Sequence, residues 1–157
     1  MGFLEVFIAA QSCDSLARLD ERLRASATPD DNLFSEVLTL ASSTRSTRDR
    51  GGARIAQLIA NSAWTDAALA LIAFGLPNWK LRRLAHENGE WFCSLTSHPC
   101  LPVEIDDTAD ACHETLPLAI LRAFVEARRR DGPMRRTITS VPNVKESSST
   151  LCCDNFA

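Results

Sequence analysis

No run of about twenty apolar residues occurs in this chain, so no segment of it is predicted to cross a bilayer as a helix. The opening MGFLEVFIAAQSC is apolar but short, and its only early charge is Glu5. That composition excludes the cationic start of a secretory signal. Val6 stands where N-myristoylation after Gly2 wants Ser or Thr, and Cys153 is one place too far from the last residue for prenylation. The expected compartment is therefore the cytoplasm, where the six cysteines should stay reduced and act mostly as small buried hydrophobes. No Cys-x2-Cys or His-x3-His spacing occurs, which excludes the common zinc modules. Tyrosine is absent, so Phe and Trp carry the aromatic load and no phenol is available for chemistry. An excess of positive charge is also missing. The net charge is -3, which gives the whole chain no electrostatic pull toward nucleic acid.

What is present fits a globular protein. The chain has 157 residues, 45% of them hydrophobic and 24% charged, enough for one domain with a real core. The densest stretch runs from Leu84 to Leu121. It holds His86, His98 and His113, the cysteines Cys93, Cys100 and Cys112, and seven acidic residues, with no Lys or Arg. Lys80, Arg82 and Arg83 precede it, and Arg122 and Arg128 to Arg130 follow it.

Four segments follow from the pattern along the chain. Residues 1–41 read as an N-terminal helical arm. Its first helix spans 3–25, with Leu16, Leu19 and Leu23 on one stripe and Phe3 and Phe7 in an apolar front turn. A second helix begins after Asp30, Asp31 and Asn32, which suit its cap. Residues 42–52 lack any large apolar side chain and read as a flexible linker. Residues 53–132 read as a compact α+β domain. Two helices, the second capped by Thr65 and ended by Gly75 and Pro77, lead into a hairpin over 79–96. Asn88-Gly89 is the turn, since both residues tolerate positive φ. The register then sets His86 against Trp91, Leu84 against Cys93 and Arg82 against Leu95. Trp91, Leu84, Cys93 and Leu95 are expected to cover the core. Leu101 to Ile105 is the candidate third strand, held to an edge by Pro102. A last helix starts near Glu114, or near Thr108 with a kink, carries Leu116, Ile120, Phe124 and Ala127 inward, and ends at Arg130 before Gly132 and Pro133. Residues 133–157 read as a disordered tail. The expected fold is helices packed on one face of a two- to three-stranded antiparallel sheet.

Each candidate chemistry has a plainer counterpart. Cys93, His98, Cys100, Cys112 and His113 supply donors of the type zinc prefers, but Cys93 also alternates as a core residue of its strand. A Cys/His nucleophile pair needs a distant histidine brought to Cys100 or Cys112, because Cys112 and His113 are neighbours and diverge on a helix. Glu104, Asp106, Asp107 and Asp110 suit acid/base work, yet they precede a helix and suit its cap equally. Lys80, Arg82, Arg83 and the run from Arg128 to Arg136 suit a phosphate backbone, but the acidic block between them offers nearer partners. Phe3, Phe7, Leu16, Leu19 and Leu23 suit a protein partner or a second copy of the chain, or else pack back on their own domain.

Trp64 to Leu71, Trp79 to Leu84, Gly89 to Leu95 and Leu116 to Leu121 resemble segments of small α-proteobacterial proteins of rhizobial type. The resemblance covers about the middle half of the chain. It implies a bacterial cytoplasmic origin and carries no mechanism. The expected role is non-enzymatic, as a protein-interaction or accessory protein without a cofactor. The alternatives are a small metal- or thiol-dependent enzyme using residues 93–114, with zinc as its metal, and a nucleic-acid-binding accessory.

Overall fold

A computed structural model describes residues 3–43, 50–102 and 106–131, with side chains from residue 14 onward. The described residues form helices α1 (Phe3–Ala25), α2 (Asp31–Ser42), α3 (Arg50–Ala60), α4 (Trp64–Gly75) and α5 (Leu116–Arg130). Strands β1 (Lys80–Glu87), β2 (Glu90–Thr96) and β3 (Thr108–His113) make one antiparallel sheet in the order β1-β2-β3. The helices pack on one face of the sheet, as the sequence pattern predicts, and the fold class is α+β.

α5 is the axis of the structure. Its stripe is so wide that Leu118, Ile120, Leu121, Phe124 and Val125 are all fully buried. One side of it lies on β2 and β3, and the other meets α1 and α4. Pro117 sits in the first turn, where its missing N–H costs nothing, and Arg128 to Arg130 occupy the last turn beside the free carbonyls. Leu16, Leu19 and Leu23 of α1 belong to the same hydrophobic cluster as Phe124 and Leu95. They pack back on their own chain. Arg122 of α5 also holds Asp20 of α1 at 3.1 Å. α2 joins the cluster through Phe34, whose ring lies 5.1 Å from that of Trp64 at the start of α4. Phe3 and Phe7 fall in a part of α1 whose side chains are outside the described residues, as does most of the expected linker (44–49) and the tail from 132 on.

Several boundaries move for identifiable reasons. α3 starts at Arg50 rather than Ala53 and takes in Gly51, which lies against the ring of Phe74. Ala63, not Thr65, caps α4, and Asp30 caps α2 without a side-chain hydrogen bond to its helix. Gly75 ends α4 by permitting close approach: a Cβ there would lie 2.8 Å from Phe124 and 2.9 Å from Ala41. The hairpin turn is as expected, with Asn88 at φ 56 and Gly89 at φ 85, the left-handed pair a type I′ turn requires.

The third strand is Thr108–His113, not Leu101 to Ile105. Ala109 and Ala111 face the helices, and their small size lets α5 lie directly on β3. Asp110 therefore belongs to a strand and not to a helix cap. Thr115 stands at the N-cap of α5 instead, with its hydroxyl donated to the carbonyl of Ala27 at 3.0 Å. A bulge between Leu81 and Arg83 also changes the predicted hairpin pairing. Leu81, not Arg82, stands opposite Leu95, while Leu84 against Cys93 and His86 against Trp91 hold.

Candidate functional site

The register decides what the Cys/His-rich stretch can do. Opposite residues of an antiparallel pair share a face, and successive residues alternate. Leu84, Cys93 and Ala111 therefore form one row on the helix-facing side, and Ala85, Phe92 and Cys112 form the next row on the outer side. Cys93 is fully buried, and burial, with Asp110 nearby, pushes its thiol up to about 12. It is a neutral packing group. Cys112 is exposed on the opposite face. His113 is buried, and its Nδ1 accepts the backbone N–H of Thr115 at 2.9 Å. His98 and Cys100 lie in the connection after β2, where Ser97 is hydrogen-bonded to His98 Nδ1 at 2.9 Å. Cys93, His98, Cys100, Cys112 and His113 are thus not gathered around one point. Among the described residues no group of three or more His, Cys, Asp or Glu side chains is placed to hold a metal ion. The donor set expected for zinc does not fit one here.

Cys112 and His113 do border a common recess of about 250 Å³ with Arg24, Glu90, Glu114 and Arg122. The two side chains leave β3 on opposite faces, so the recess does not set thiol against imidazole. A larger groove of about 710 Å³ lies between α3 and α4, lined by Ile55, Leu58, Ala70 and Phe74 with Arg54 and Asp66 as its charged groups. None of the candidate Cys or His residues reaches it.

The acidic residues act as anchors. Asp106 accepts hydrogen bonds on Oδ2 from Arg82 Nη1 and Thr96 Oγ1. Thr96 Oγ1 in turn accepts the backbone N–H of His98 at 3.0 Å, and Arg82 Nη2 donates to the carbonyl of Leu101 at 3.3 Å. Arg130 holds Asp107 at 2.8 Å and also donates to the carbonyl of Thr108. Arg82 and Arg130 therefore pin the connection between β2 and β3 from its two sides. Asp106 and His98 of that connection lie against Thr96, which is buried although it points away from the helices. Arg83 pairs with Glu87 at 2.9 Å and lies over the ring of Phe92. The basic residues flanking the acidic block are thus largely engaged with acids of the same chain. Glu104 is outside the described residues.

The surface with an unsatisfied demand is β1. α5 covers β2 and β3, and β1 overhangs it, paired on one side only among the described residues. None of its eight residues is buried. Leu81 and Leu84 lie on the helix-facing side, yet they are 42% and 37% exposed, because among the described residues α5 packs mainly on β2 and β3. The expectation that Leu84 covers the core with Cys93 and Leu95 is corrected on this point. His86 continues the same side, its ring 4.8 Å from that of Trp91. One sign of the overhang is present in the sequence. Lys80, Arg82, Arg83, His86 and Glu87 crowd one strand, a charge density that suits an edge and not a central strand.

Among the described residues no helix is long and apolar enough to cross a membrane. No protein-family model, no curated protein and no solved structure matches the chain.

Proposed function

We propose that the chain is a non-enzymatic protein-interaction or accessory module, and that it works by accepting an extended strand from a protein partner along the edge of β1. The observation that supports this is the overhang itself: an eight-residue strand with no buried residue and two exposed leucines beside a sheet that α5 covers only in part. Such an edge offers main-chain N–H and C=O groups to a partner strand, and apolar positions on one face select its side chains. Two residues of a bulged strand stand opposite one of its neighbour, so the bulge at Arg82 confines the flat, addressable part to Arg83 through Glu87. The resemblance to α-proteobacterial proteins is what supports a bacterial cytoplasm as its setting, where the exposed Cys100 and Cys112 would stay reduced.

The test is selection of extended peptides from a displayed random library against the full chain, followed by backbone NMR. Selected peptides are expected to shift the amides of Leu84 and His86 first, and to lose binding to a folded Leu84→Pro variant. Selected peptides that map to the α3–α4 groove, or a library that yields none against a chain that sedimentation shows to be monomeric, would overturn the reading.

A further inference from the structure

This inference rests on the reading of β1 as a strand-accepting edge and names the strand. We infer that it is β1 of a second copy of the chain, joined antiparallel across a two-fold axis at Ala85 to make a six-stranded sheet. Three constraints select that arrangement. First, residues directly opposite each other in an antiparallel pair must share a face. Between Arg83 and Glu87 the outer side carries Arg83, Ala85 and Glu87, and the helix-facing side carries Leu84 and His86. Only registers with the axis on a residue keep the faces matched, which leaves Leu84, Ala85 or His86 as its centre.

Second, the main-chain groups must meet. Glu87 and Glu90 flank the two-residue turn and close it, so Glu87, and by alternation Ala85 and Arg83, direct their N–H and C=O toward β2. Leu84 and His86 direct theirs outward. With the axis on Ala85, Leu84 of one copy stands opposite His86 of the other, and the two exchange both main-chain bonds. The Ala85 pair on the axis is then the non-hydrogen-bonded kind, where strands approach most closely and a small side chain is wanted.

Third, charge separates the registers. An axis on Ala85 sets Arg83 of each copy opposite Glu87 of the other. An axis on Leu84 sets Arg83 opposite Ala85, and an axis on His86 sets the two imidazoles face to face. Only the Ala85 axis forms two opposite-charge pairs. The 2.9 Å ion pair from Arg83 to Glu87 within one copy shows that both side chains already lie along the outer side within reach of each other. The pairing also extends the apolar side, because Leu84 of each copy meets the His86–Trp91 stack of the other.

Sedimentation of the full chain across a dilution series tests this with two variants, Arg83→Glu and Glu87→Arg. The wild type is expected to dimerise. Each variant alone converts two attractive pairs into two repulsive ones and should self-associate about thirtyfold more weakly. An equimolar mixture of the two variants restores both opposite-charge pairs across the axis, although the pair within each copy stays broken, and should dimerise like the wild type. A wild type that remains monomeric, a dimer indifferent to both reversals, or a mixture no tighter than its components overturns the second copy. A monomer whose Leu84 and His86 amides still answer displayed peptides overturns the second copy and leaves the strand-accepting edge standing. A dimer in which those two amides exchange with solvent as fast as exposed ones overturns both.

Discussion

Arg82 of β1 reaches a carboxylate, that of Asp106, whose side chain is 0% exposed. The contact couples the edge strand to the connection between β2 and β3, and the bulge that displaces Arg82 from the regular pairing is what aims it there. Because the carboxylate is buried and also takes the hydroxyl of Thr96, removing the cation should cost far more than breaking a surface pair. Arg82→Ala is expected to lower stability by about 3 kcal/mol, and Asp106→Asn by less, since the amide oxygen still accepts from Arg82 and Thr96. Urea midpoints measure both. A loss below about 0.5 kcal/mol for Arg82→Ala would make this an ordinary solvated pair.

Gly75 and Gly52 should respond to alanine with opposite signs. Both are helical, so each gains intrinsic helix propensity of up to about 1 kcal/mol. At Gly52 the new Cβ meets only the far end of the Phe74 ring at 3.8 Å, an ordinary contact, and the gain should survive. At Gly75 it enters the space between Phe124 and Ala41, at 2.8 and 2.9 Å, where neither neighbour can move freely. Overpacking of this kind costs about 1–3 kcal/mol and outweighs the propensity. Thermal unfolding of the two variants should show Gly52→Ala raised and Gly75→Ala lowered.

Local chemistry made parts of this fold legible and left others hidden. The Asn88-Gly89 turn and the register from Leu84 to the turn were readable because only residues tolerant of positive φ can occupy a type I′ loop, whereas the bulge that moves Leu81 opposite Leu95 was not. α5 was readable because its apolar stripe is bounded by Pro117 and the arginines of its last turn. β3 was not, because Thr-Ala-Asp-Ala-Cys-His has little strand propensity. Its alanines are there to admit α5, which begins after Glu114 and Thr115 and folds straight back over the strand. Alternation sets Cys112 and His113 on opposite faces, while His98 and Cys100 lie off the sheet in the connection after β2. The exposure of Leu84 could not be read locally either. Its partner Cys93 is fully buried on the same face, and only the lateral position of α5 separates the two.

The place of α1 in the core can be checked through Leu23, which is fully buried in the same cluster as Leu121 and Phe124. Leu23→Ala removes buried methyl groups from a site closed on all sides and should cost about 3 kcal/mol. If α1 and the remainder share one core, tryptophan fluorescence and far-UV circular dichroism should shift together in a single transition. Trp64, Trp79 and Trp91 all lie outside α1. A fluorescence transition that ignores Leu23→Ala would mean that α1 unfolds separately.

Cys93 predicts how stability depends on alkaline pH. Its thiol is pushed up from an ordinary 9.0 to about 12, by burial first and by Asp110 second. Below pH 9.0 the folded and unfolded chains both keep this proton, and Cys93 adds no slope. Between 9.0 and about 12 the unfolded chain releases it while the folded chain retains it. The unfolded state then binds fewer protons, so stability must fall as pH rises, by up to about 1.4 kcal/mol per pH unit from this group alone. Cys93→Ala removes the titrating group at the expense of a small cavity. The cavity lowers stability equally at every pH, whereas the lost proton changes only the slope. Urea unfolding of the wild type and of Cys93→Ala from pH 8 to about 11 separates the two effects. The variant should start less stable and lose stability more gently, so that the gap between the two closes with rising pH. Parallel curves would mean that the folded chain releases the Cys93 proton as readily as the unfolded one, and that the thiol is not held dry between β2 and α5.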